Sequence, residues 1–144
     1  MKSSHKLTRP FFIASVTLGI SLWATSPAIA APTLTITPPT GLTDGQTVTA
    51  SGQGYTPNTQ IAIAQCDLDF TDRAACTPGG VTVIVGSDGT FSVAVTASKS
   101  FTGYDPDSGR ETGTVDCATD TCGFAAADVT ALGTVLGVGT ISFA

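Results

Sequence analysis

Residues 60–66 read QIAIAQC and alternate cleanly. Ile61, Ile63 and Gln65 fall on one face, and Ala62, Ala64 and Cys66 on the other. A period of two marks a strand with two unlike faces. The same period appears in residues 33–37, where Leu34 and Ile36 share a face, and in residues 46–52. Pro38, Pro39 and Gly41 break the first of these runs. Asp44-Gly45 is a turn signal before the second, and Gly52-Gln53-Gly54 ends it. Tyr55, Pro57 and Asn58 are read as loop. Residues 81–85 (VTVIV) and 90–97 (TFSVAVTA), joined by Ser87-Asp88-Gly89, predict a hairpin with Phe91, Val93 and Val95 on one face.

Residues 99–114 differ. They are rich in Asp, Ser, Gly and Thr, with Phe101 and Tyr104 embedded, which predicts a small ribbon or a long loop off the main body. Residues 113–117 (GTVDC) are expected to return to the sandwich. Residues 124–129 (FAAADV) form a strand candidate whose alanines are equally compatible with a helical turn. Residues 137–143 close the sheet. No segment sustains a helical period. The fold class is therefore all-β, an antiparallel immunoglobulin-like sandwich of about seven strands. The Cys…Trp…Cys bridge of antibody domains is missing from it.

The first thirty residues belong to a different pattern. Lys2, His5, Lys6 and Arg9 precede the apolar run FFIASVTLGISLW, and Ala28 and Ala30 give the small-x-small signature of signal peptidase cleavage. The apolar run falls short of the roughly 20 residues that cross a bilayer. Residues 1–30 are expected to be a secretory signal and residues 31–144 the mature domain, secreted and without membrane attachment after cleavage. Cleavage removes the one His, the one Trp and the one Met. Eleven acidic side chains then face Arg73, Lys99 and Arg110, a formal charge of −8. That balance opposes direct binding to nucleic acid, whose phosphates require clustered Lys and Arg. It favours a soluble monomer.

The four cysteines lie in two polar loops, Cys66 to Cys76 and Cys117 to Cys122. In a secreted chain they imply two disulfides, with three pairings open. Local pairing is preferred because each pair then closes a short loop between strands. A structural metal site is weaker, since no His remains to share it. Asp67, Asp69 and Asp72 space out as D-x-D-x-x-D but lack the rest of a calcium loop, so a solvated acidic face is favoured and no metal is assigned. Asp105 and Asp107 form a carboxylate pair inside a Gly/Ser/Pro stretch, where turns are the expected role. Without His, and with its cysteines bridged, the chain lacks the usual nucleophile–base arrangements. It is expected not to be an enzyme, and no catalytic residue is assigned.

The mature chain resembles the neocarzinostatin family, the apoproteins of enediyne chromoproteins. The likeness rests on the opening APTLTITPPTGLTDGQTVTASGQG, on nine residues inside the first cysteine loop and four inside the second, and on SFTGY, GTVDC and TISF in that order. It covers essentially all of residues 31–144. The resemblance implies a seven-stranded sandwich with a two-stranded ribbon, both disulfides local, and a cleft between sandwich and ribbon. In such proteins the cleft holds a labile enediyne non-covalently, and the released chromophore cuts DNA. The implied partner is an apolar small molecule, with DNA reached only through it. No cofactor is implied beyond that non-covalent chromophore.

Carried over residue by residue, the resemblance implies ligand contacts at Ala64, Leu68, Phe70, Ala74, Val81, Tyr104, Gly123, Ala125 and Ala127. Several depart from the family pattern. Leu68 stands in place of a Trp, Ala64 of a Gly, Ala74 of a Leu, Val81 of a Phe, Gly123 of a Gln and Ala127 of a Ser. An aromatic beyond Tyr104 gives way around Asp105-Pro106-Asp107. Leu68 and Phe70 either aim into the cleft or cap the sandwich core. Lost aromatic faces remove stacking worth about 0.5–1.5 kcal/mol each. The alternative function is therefore a secreted immunoglobulin-like structural or interaction domain that has lost the chromophore site. That alternative predicts a shallow or collapsed cleft.

Overall fold

The computed structural model describes residues 31–69 and 74–144. Ten strands run through the described residues: β1 Thr33–Thr37, β2 Gln46–Gln53, β3 Gln60–Asp67, β4 Ala75–Cys76, β5 Val81–Ile84, β6 Phe91–Ala97, β7 Ser100–Tyr104, β8 Glu111–Asp116, β9 Cys122–Asp128 and β10 Val135–Thr140. One sheet has the order β1-β2-β6. The other has the order β10-β9-β3-β4-β7-β8, with β5 also pairing β3. The sandwich proper is thus seven strands, three against β10, β9, β3 and β5. The antiparallel pair β7–β8 is the ribbon, and the two-residue β4 joins it to the sheet.

The alternation in residues 60–66 decides which side of the larger sheet is core. Ile61, Ile63 and Gln65 are buried between the sheets. On the neighbouring β9 their counterparts are Phe124 and Ala126. Leu34, Ile36, Val48, Ala50, Phe91 and Val95 meet them from the smaller sheet. Burying one side chain of this size is worth about 1.5–3 kcal/mol, which makes the strand's register hard to slip. Both disulfides are local, Cys66–Cys76 and Cys117–Cys122.

The structure corrects two sequence expectations. The 81–85 and 90–97 runs do not form a hairpin. The turn is present, with Gly86 N–H donating to the Thr90 carbonyl at 2.8 Å, but β5 pairs with β3 and β6 with β2. The chain arches from one sheet to the other because the core side chains on each side, such as Val85 and Phe91, must face inward. Residues 113–117 do not return to the sandwich either; most of them belong to β8, the ribbon's second strand. Tyr55 lies in a loop as expected, yet it is 3% exposed and packs edge-on to Phe91 at 4.9 Å between ring centroids. Residues 124–129 resolve in favour of the strand, since β9 runs between β3 and β10 at the centre of the sheet.

Candidate functional site

The outer face of the larger sheet is built of the smallest side chains on the same two strands. Directly opposed antiparallel residues point to the same face. Ala62 is opposite Ala127, and Ala64 is opposite Ala125. The bulky residues of β3 and β9 face the core, so this floor carries little more than methyl groups. Around it stand the Cys66–Cys76 bridge, residues 77–80 that leave it, the end of the ribbon, and the segment between β9 and β10. Together they enclose an open cavity of about 620 Å³. That volume lies inside the range of about 300–1,000 Å³ typical of small-molecule sites.

The walls are mostly apolar. Pro78, Pro106, Leu132 and Val135 line them, and polar side chains enter at Thr77, Thr82, Tyr104 and Asp105. Among the described residues Asp105 is the one charged side chain on the lining. Its Oδ1 accepts from the backbone N–H groups of Asp107 at 2.8 Å and Ser108 at 3.2 Å, fixing the ribbon's turn. The Asp107 carboxylate in turn lies over Gly133: a Cβ at 133 would sit 2.1 Å from it. This contact brings the ribbon tip against the segment between β9 and β10 and closes one side of the cavity. At the other wall, Gly80 lies so close to β3 that a Cβ there would meet the Ile63 carbonyl oxygen at 2.3 Å.

Of the sequence-derived contacts, Ala64, Ala74, Tyr104, Ala125 and Ala127 come together on the cavity walls. Leu68, Val81 and Gly123 do not. Val81 is opposite Ile63, so the pleat turns it toward the core side, and its neighbour Thr82 faces the cavity instead. Leu68 packs beside the disulfide and Ala125, and its Cδ1 lies where a Cβ on Gly123 would be, within 2.6 Å. Leu68 is held there by its N–H bond to the Thr121 carbonyl, 2.7 Å. Gly123 is covered by that side chain and by the Gly139 carbonyl oxygen. Phe70, with Asp72 of the acidic run, lies outside the described residues. Asp67 Oδ1 accepts from Asp69 N–H at 2.9 Å, a local turn. Among the described residues no cluster of three His, Cys, Asp or Glu side chains could hold a metal.

Sequence reasoning missed Ala62, Thr82, Leu132 and Val135. Ala62 was readable, being in phase with Ala64. Val135 reaches the cavity because it is opposite Ala127 in the β9–β10 ladder, a register the irregular glycine-rich end of the chain does not announce.

Comparison with known proteins agrees with this geometry. The model of the neocarzinostatin family matches residues 34–143. Actinoxanthin and the antitumor antibiotic C-1027 apoprotein, both of Streptomyces globisporus, are each 35% identical over 124 residues, covering 85% of this chain and 85% of theirs. The solved structure of macromomycin superposes with a TM-score of 0.71 at 30% identity, over 79% of this chain and all of that one. With a family model matching residues 34–143 and relatives 35% identical over 85% of it, this chain, a seven-stranded sandwich with a ribbon, two local disulfides and a cleft, belongs to the neocarzinostatin family.

Proposed function

We propose that residues 31–144, secreted after removal of residues 1–30, are the apoprotein of a chromoprotein: a carrier that binds one apolar, enediyne-type small molecule non-covalently in the cavity. The observation that carries this is the open cavity of about 620 Å³ between sandwich and ribbon in a chain of this family. Its relative C-1027 apoprotein is the protein part of an antitumor antibiotic. The protein supplies shelter rather than chemistry. Apolar walls exclude water from a reactive ligand, and a few polar groups at the mouth orient it. DNA is engaged by the released ligand, which accords with an acidic chain that presents Lys99 and Arg110 as its described basic side chains beyond the signal. The contacts assigned to the ligand are Ala64, Ala74, Tyr104, Ala125 and Ala127, joined by Ala62, Thr82 and Val135.

The alternative, a sandwich whose site has collapsed, is disfavoured by the open cavity. The floor of alanines leaves the cavity open rather than filled. Titrating the apoprotein with neocarzinostatin chromophore, followed by ligand fluorescence, tests the proposal. Affinity clearly above that of serum albumin is expected. Affinity equal to albumin's would remove the carrier role for this class of ligand.

A further inference from the structure

Gln65 is a polar side chain buried in the core, 2% exposed, and it does not face the cavity. Its partners explain its presence. β6 ends at Ala97 in the smaller sheet and β7 begins at Ser100 in the larger one, so the chain crosses between sheets at Ser98. A residue in such a crossing loses its ladder partners on both sides, and a buried backbone polar group without a partner is costly. The Gln65 amide supplies both. Its Oε1 accepts from Ser98 N–H at 2.8 Å, and its Nε2 donates to the Ser98 carbonyl at 2.6 Å. The same Nε2 donates to Cys117 Sγ at 3.4 Å. Ser98 precedes β7 and Cys117 follows β8, so one side chain holds both feet of the ribbon.

Its backbone holds a third point. Gln65 N–H donates to Thr77 Oγ1 at 3.2 Å, and Thr77 N–H donates to the Gln65 carbonyl at 2.8 Å. Thr77 lines the cavity. Elsewhere the ribbon's ladder to the sheet is one register pair, Cys76 opposite Tyr104, while Val115 and Phe101 pack on the core and Asp107 lies over Gly133; its first foot is also bonded by Asp44, whose Oδ1 accepts from Lys99 N–H at 2.8 Å. We propose that Gln65 is the positioning residue of the binding site: it clamps the ribbon's feet to β3 and thereby sets the width of the cavity whose wall the ribbon forms. This rests on the cavity being the ligand site, although its structural half does not.

The test uses Gln65→Met, which keeps length and removes the amide, with Val48→Ala on the smaller sheet as a control core truncation. Two readouts are taken: binding of the neutral dye Nile red, and amide hydrogen exchange by NMR. Gln65→Met is expected to weaken the dye by about tenfold, the effect of roughly one lost hydrogen bond on an equilibrium. It should also speed exchange in β7 and β8 while leaving β1 and β2 unchanged. Val48→Ala should do neither. Equal dye affinity with unaltered ribbon exchange in Gln65→Met, or the same ribbon loosening in Val48→Ala, overturns the proposal. If wild type does not bind Nile red, the carrier reading weakens, and exchange alone decides the clamp. If Gln65→Met does not fold, native-state exchange of the wild type decides. Ser98 N–H should then open together with the ribbon amides, and its exchange as a frayed loop amide would overturn the clamp.

Discussion

Replacing both Cys66 and Cys76 with alanine tests how the large loop supports the site. The bridge closes a loop across a sequence separation of 10, and the chain-entropy account assigns that closure about 2.7 kcal/mol. The sulfurs are also packed: Cys66 is 0% and Cys76 8% exposed, in a cluster with Ala125 and with Ala64, Leu68 and Ala74 against it. Losing them from that cluster adds about 1 kcal/mol at the usual scale for buried apolar groups. The expected loss is about 3–4 kcal/mol, a large part of the roughly 5–15 kcal/mol that holds a domain together. With a urea slope of about 1.5 kcal/mol/M the midpoint should fall by about 2 M. The slope itself should rise, because the uncrosslinked unfolded chain exposes more surface. Equilibrium urea unfolding followed by circular dichroism reads both. Nile red binding should fall as well, since β4 joins the ribbon to β3 at this bridge. A midpoint within about 0.5 M of wild type would refute the reasoning.

Other perturbations separate floor, walls and core. Ala62→Phe places a ring in the cavity from its floor, so dye binding should drop at least about tenfold with the urea midpoint nearly unchanged. Gly80→Ala should cost about 1–3 kcal/mol in urea unfolding, because its Cβ meets a backbone carbonyl, whereas Gly133→Ala should cost little, because the Asp107 carboxylate it meets can swing away. Tyr55 has a buried hydroxyl with no hydrogen-bond partner among the described residues, and burial pushes its phenol above the ordinary range. Tyr55→Phe should therefore stabilise by about 1 kcal/mol, and a loss of that size would contradict the orphan hydroxyl. The Thr90 and Thr130 hydroxyls, then their backbone N–H groups, hold the Asp88 and Asp128 carboxyls below the usual range. Carboxyls lowered in the folded state stabilise it above their unfolded value and lose that effect as pH falls through the folded one. The urea midpoint should thus decline below about pH 4, and less so in Asp88→Asn/Asp128→Asn.

Much of this architecture was legible because one strand's alternation carried it. Ile61, Ile63 and Gln65 against Ala62, Ala64 and Cys66 mark two unlike faces in the sequence, and the structure makes the first core and the second floor. The local disulfides and the ribbon followed from loop polarity and from the family resemblance. What was not legible depended on pairing at long range. The turn at residues 86–90 looks the same whether its flanking runs pair with each other or arch between sheets. Val81 lies at a fixed distance from Cys76 in sequence, yet its facing depends on being opposite Ile63. The sequence leaves Leu68 between cleft and core, and the structure packs it over Gly123 against Ala125 and the Cys66–Cys76 bridge, a position set by pairing at long range. Tyr55 gave no periodic signal because it stands apart from any strand.

The central claim is that the cavity carries an apolar chromophore. Its most direct test is to purify the natively secreted protein from its producer's culture under dim light, and to extract it with organic solvent for absorbance and mass spectrometry. One apolar, light-absorbing small molecule per chain is expected, released from a protein that begins at Ala31. Natively secreted protein that is empty, and that fails to take up neocarzinostatin chromophore afterwards, would contradict it.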